Sequence, residues 1–150
     1  MSISNMEKYE NYKAQFGRLK RALTNEFYLE AIFIEYAIIE DRTTSILTHA
    51  GVFNPDKHNK LNKKINRIRE IIRVKNKKEL MKKYITDEML DEINEWKDQR
   101  NVLIHNLLNQ QVTKEQLKEC ADRGNVLCKT LSNKSGNYSS AVEKKSEKEN

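Results

Sequence analysis

The sequence predicts an all-α protein, an antiparallel bundle of four to five main helices, on three observations. Apolar residues recur at helical spacing along most of the chain, and no strand-like alternation of useful length interrupts them. Only one Pro and four Gly occur in 150 residues, so helix breakers are scarce. Charged residues make up 33% and mean hydropathy is −0.85, a mixture that suits amphipathic helices with solvated outer faces.

The first helix is expected over Met6 to Leu23, with Tyr9, Tyr12, Phe16 and Leu19 on one face. Thr24 or Asn25 is placed to cap the second, over about Glu26 to Thr48, which stops near Gly51. In that second helix Glu26, Glu30, Ala37, Asp41 and Thr44 share a narrow stripe and most of the remainder is apolar, which predicts a central position. Glu35 falls on the apolar side, where a carboxylate requires a cationic or hydrogen-bonding partner.

Asn54-Pro55-Asp56 marks a loop. A basic helix follows, Lys60 to Val74, with Leu61, Ile65, Ile68 and Ile72 inward, and then a short helix over Lys78 to Tyr84. Thr86 or Asp87 caps a long helix running to about Leu108. The last helix, Thr113 to Leu131, opens with the capping-box pattern Thr113-Lys114-Glu115-Gln116. From Ser132 the composition turns to Ser, Asn, Lys and Glu. The sequence thus divides into a helical bundle over 1–131 and a disordered polar tail over 132–150.

No apolar run approaches a membrane span, and the opening residues lack the apolar stretch of a signal peptide. A cytoplasmic protein with no membrane partner is expected. Cys120 and Cys128 on one helix would stand roughly 12 Å apart, too far for a disulfide. The three His are scattered, so neither a metal site nor a cofactor is expected. Charge is unevenly spread. Between Lys57 and Lys83 twelve Lys or Arg stand against two acids, a net +10 that leaves −4 for the rest of a +6 chain. Such a patch favours a polyanion, and Lys60, Lys63, Lys64, Arg67 and Arg73 are its candidate RNA-binding residues. No aromatic residues alternate with them, which argues against base stacking there.

The segment most relevant to chemistry is Trp96-Lys97-Asp98-Gln99-Arg100-Asn101-Val102-Leu103-Ile104-His105-Asn106. Arg, then Asn, then three apolar residues, then His resembles the Arg-Asn-x3-His signature of the HEPN superfamily, whose members are small helical bundles. Arg42 and His49 fit a looser form of the pattern, but Thr43 stands where Asn is expected and the pair lies on an early helix. The resemblance implies a homodimeric, metal-independent endoribonuclease of toxin or phage-defence type. Two motifs would face one cleft and cleave RNA through its 2′-hydroxyl, leaving a 2′,3′-cyclic phosphate. Some HEPN toxins carry a Tyr two residues after the motif His, which a partner enzyme modifies. Here that position is Leu107, so an antitoxin or inhibitor would have to act by contact.

The residue types suit that chemistry independently. Imidazole titrates near neutrality and can take or give the proton, while a guanidinium holds a phosphate bidentately and offsets growing charge. Asn101 and Asp98, four and seven residues before His105, are placed to orient its ring. In an ideal helix, however, Arg100 and His105 point about 140° apart, so convergence needs a kink, arginine's reach or a second subunit. Arg100 has another possible role, pairing with inward-facing Glu35, either structurally or as a cation that Glu35 positions. Val102, on the polar side near His105, is a candidate for cover by a second copy. The alternative reading is a non-catalytic HEPN-like module that binds nucleic acid or regulates by contact.

Overall fold

The computed structural model describes residues 3–149. Five helices pack together: α1 (Asn5–Thr24), α2 (Tyr28–His49), α3 (Leu61–Ile72), α4 (Asp87–Asn106) and α5 (Lys114–Glu149), with a short 3₁₀ helix at Leu80–Lys83. No strand occurs among the described residues. No helix among them is long and apolar enough to cross a membrane.

Several helix ends follow from local sequence. Ser4 and Glu7 form a reciprocal capping box on α1. Thr86 caps α4 by accepting the Met89 N–H. Thr113 and Gln116 close the expected box at the start of α5, with bonds of 2.9 and 3.1 Å. The α1–α2 junction departs from expectation, because neither Thr24 nor Asn25 caps α2. Glu26 takes a left-handed conformation (φ 62°), and the Phe27 N–H returns to the Ala22 carbonyl at 2.8 Å. The turn thus closes the end of α1, and α2 begins at Phe27 with no side-chain cap.

Helix α2 is central, as its wide apolar surface requires. Its broadest contact is with α5, and α1 and α3 pack on its other sides. The two main partners run parallel: Glu26 meets Lys114 at one end, while His49 meets Ser139 at the other. Helix α3 also runs with α2. Lys64 lies beside Glu40, whereas Ile71 shares a groove wall with His49. Helices α1 and α4 run the opposite way, as the pairs Tyr12–Asp41 with Arg18–Glu30, and Arg69–Asp91 with Arg73–Asp87, require. The expected antiparallel bundle therefore holds for α1 and α4 only. The long Ala50–Lys60 connection carries the chain back so that α3 can repeat the direction of α2. Within this loop the Asn54 side chain accepts the Asp56 and Lys57 N–H groups, and the Asn54 backbone N–H donates to His58 Nδ1.

The core is built from Leu19, Ile32, Ile39, Ile46, Leu47, Ile65 and Ile68, closed by Trp96 and Leu131. Each such side chain contributes roughly 1.5–3 kcal/mol of transfer free energy. Cys120 and Cys128 are buried thiols, and burial pushes Cys120 up to about 11, so it stays protonated.

The expectation of a disordered tail from Ser132 is wrong. Helix α5 continues unbroken to Glu149. Leu131, Ser135 and Tyr138 are buried and Val142 packs against the core, at spacings of four, three and four residues. Tyr138 lies 6.3 Å from Tyr84, ring centre to ring centre, and Ser139 bonds His49 Nε2 at 2.7 Å. Bulk polarity hid a narrow inward stripe, and one such stripe suffices where a helix is already nucleated upstream.

Candidate functional site

The motif lies on the second half of α4, and α2 fixes the position of its arginine. The Arg100 guanidinium carbon stands 4.0 Å from the centre of the Tyr36 ring, and Tyr36 in turn lies 6.3 Å from Trp96. Trp96 is anchored from the far side by its indole N–H, which donates to the Cys120 carbonyl at 2.9 Å. The guanidinium thus rests on an aromatic shelf that α2 supplies and α4 and α5 back, an attraction worth roughly 0.5–2 kcal/mol. Arg100 Nη1 donates to Asn101 Oδ1 at 2.9 Å, and Arg100 Nε is shielded from solvent with no acceptor among the described residues.

The expected partnership of Glu35 with Arg100 does not form: no hydrogen bond or ion pair joins them among the described residues. Arg100 stacks on the neighbouring residue, Tyr36, instead. Glu35 is fully buried (0%), and neither carboxyl oxygen has a hydrogen-bond partner among the described residues. Desolvation pushes it up to about 9, with Asp122 adding to the effect, so it is a neutral acid in the core. A neutral Glu35 leaves the charge of Arg100 uncompensated from within.

His105 is exposed one turn beyond Arg100 and makes no hydrogen bond or ion pair among the described residues. Neither residue expected to orient it does so. Asn101 serves Arg100, and Asp98 lies 3.7 Å from Lys97 Nζ. Arg100 and His105 are therefore not joined within one chain. Around them apolar surface is exposed, with Val102 on α4 58% and Leu108 in the turn after it 96% exposed.

The basic residues divide sharply. Lys64 is only 8% exposed, and its ammonium sits 3.5 Å from the Glu40 carbonyl, so it is a core-edge residue rather than a surface contact. Arg73 is paired with Asp87, and its neighbour Arg69 bridges Asp87 and Asp91. Arg67 pairs with Glu70 within its own helix. Lys60 and Lys63 are exposed and make no ion pair among the described residues. The patch read from the sequence is thus partly neutralised by the start of α4.

Sequence reasoning missed Tyr36, because periodicity showed that α2 was central without showing which of its residues met α4. The decoy pair is also settled by contacts. Arg42 bonds Asp41 and the Tyr12 hydroxyl, while His49 bonds Ser139 and the Ser45 carbonyl, so the two serve different helix junctions. An apolar groove of about 320 Å³ lies between α1 and α2, floored by Phe33, Ile34 and Ile38, and neither Arg100 nor His105 lines it. No known family, curated protein or solved structure matches the chain.

Proposed function

We propose that this chain is a metal-independent endoribonuclease of HEPN type that works as a homodimer, with Arg100 and His105 as its catalytic residues. The observation that carries this reading is the condition of Arg100. Its guanidinium is stacked on Tyr36 and steadied by Asn101, yet among the described residues no carboxylate pairs with it and its Nε has no acceptor. A fixed, uncompensated cation of this kind suits a phosphodiester and the charge that grows on it during transfer. His105, exposed on the same helix end, supplies a group able to accept the 2′-hydroxyl proton or donate one to the leaving oxygen.

One chain does not complete the site, so a second copy is part of the proposal. Exposed Val102 and Leu108 flank His105 on the face such a copy would cover. A role as toxin or phage-defence factor, with or without a contact inhibitor, belongs to the same proposal. So does a cytoplasmic location.

The test incubates purified protein with labelled RNA in EDTA, beside Arg100→Ala and His105→Ala. Cleavage to a 2′,3′-cyclic phosphate by wild type alone, with a dimer by light scattering, is the expected result. A monomer that binds RNA without cutting it would replace this proposal with the second reading, a non-catalytic nucleic-acid module. That reading is favoured by the separation of Arg100 from His105 within one chain.

A further inference from the structure

The basic segment read from the sequence gathers four of its cations in one trough, and a fifth, Lys145, joins them from the far end of the chain. Two depressions, of about 610 and 550 Å³, meet along a shared wall of Val52, Arg67 and Glu70. Together they form a trough at the end of the bundle, between the α2–α3 loop, the outer side of α3, the Asn76–Leu80 turn and the last turns of α5. Its cations come from four separate segments: Lys57 from the loop, Lys63 and Arg67 from α3, Lys78 from the turn and Lys145 from α5. Glu70 and Glu79 are the trough's carboxylates, so five cations face two acids. Lys57, Lys63, Lys78 and Lys145 make no ion pair among the described residues, unlike the Arg69 and Arg73 side of the same helix.

Lys145 reaches the trough because α5 is helical throughout. Leu131, Ser135, Tyr138 and Val142 form its inward stripe, and Lys145 is the next residue at that spacing. Where the bundle ends, the stripe changes from apolar to cationic. In the larger depression Ile71, Val74, Leu80 and Val142 supply apolar surface between the cations, whereas Asn54, His58 and Asn66 line the smaller one beside Val52. Tyr138 is buried, so no exposed ring is offered for base stacking.

We propose that this trough is the docking track for the sugar–phosphate backbone of single-stranded RNA, which it holds without reading sequence. The inference deepens the nuclease reading, since it assigns substrate binding to a surface other than the Arg100 and His105 face. A polynucleotide alternates anionic phosphates with less polar sugars and bases, matching a row of cations interspersed with apolar surface in the larger depression and amide and imidazole groups in the smaller. A purely acidic chain such as polyglutamate would satisfy the cations and leave the apolar surface bare.

The experiment measures anisotropy of a labelled oligouridylate with the full chain in EDTA, using His105→Ala so that cutting cannot interfere. Cleavage by wild type is scored separately, so loss of the nuclease proposal and loss of this one are distinct results. With four or five phosphate contacts, affinity is expected to fall about 50- to 130-fold between about 50 and 200 mM salt. The double change Lys78→Glu with Lys145→Glu is expected to weaken binding at least about tenfold, judged by the same salt-linked charge term. A control of equal charge, Lys20→Glu with Lys129→Glu on the far side, should change it less than about twofold. Single Lys78→Ala and Lys145→Ala changes test the same point if the double variant misfolds. Equal losses in the two double variants, absence of binding at low salt, or polyglutamate competing as well as the oligonucleotide would each overturn the assignment.

Discussion

Gly124 and Glu35 share one space in the core. A Cβ built on Gly124 would lie 2.1 Å from Glu35 Oε1, 2.7 Å from its Cδ and 2.8 Å from the Trp96 indole nitrogen. Only a residue without a side chain lets α5 pass this close to α2 and α4. The carboxyl it covers is sealed from water and from hydrogen bonds.

Gly124→Ala is therefore expected to destabilise the fold by about 1–3 kcal/mol, the usual cost of overpacking. The check is chemical denaturation. Glu35→Ala in the same background should recover part of that loss, because it vacates the space the methyl group needs. Additive losses in the four-member cycle would mean the two residues do not compete.

The same burial makes stability depend on pH. The folded Glu35 carboxyl titrates at about 9 against an ordinary 4.5, so the folded state holds a proton that the unfolded chain has released. Its contribution is intact below the lower value and is lost as pH rises toward the upper one. The limiting slope is about 1.4 kcal/mol per pH unit. Unfolding free energies measured from about pH 5 to 8 should fall for wild type and fall much less for Glu35→Gln. A wild-type profile that rises over that window would show the acid to be charged in the fold.

Tyr36 is expected to matter to RNA cleavage through Arg100. Tyr36→Phe keeps the ring under the guanidinium and should retain activity. Tyr36→Ala removes the ring and should lower kcat on the order of tenfold or more, the scale set by displacing an aligned group. Arg100→Lys should fare little better, since an ammonium cannot present two parallel donors. Equal activity of the Phe and Ala variants, at equal stability, would remove the shelf from the mechanism.

Backbone amides of α5 should be protected from hydrogen exchange through Tyr138 and into the following turn. Tyr138→Ala should cost about 3 kcal/mol, as large aromatic truncations in a core do. Ser139→Ala should speed exchange beyond residue 139 while leaving the rest of the bundle unchanged, because it releases the bond to His49.

The sequence made some of these features readable and concealed others. Thr86 and the Thr113–Gln116 box announced two helix starts correctly, since capping is a local matter of side chains bonding nearby amides. The burial of Glu35 was legible from helical phase. Its lack of a partner was not, because Arg100 had two partners within reach and only the packing of α4 on α2 selects Tyr36. The tail was misread for a different reason. Leu131, Ser135, Tyr138 and Val142 carry a valid helical period, but two of the four are small or only modestly apolar, so composition outweighed spacing. The direction of α3 was hidden as well, since nothing local states that an eleven-residue connection (Ala50 to Lys60) doubles back.

The parallel seating of α5 on α2 also sets the order in which the molecule can assemble. The most apolar helix is made early and meets its principal neighbour only after α3 and α4 have been synthesised between them. Local hairpin closure cannot shelter that surface, so the nascent chain carries it uncovered for most of its elongation. Folding through such distant pairings is slow and open to aggregation, which makes α2 the segment a chaperone would be expected to hold.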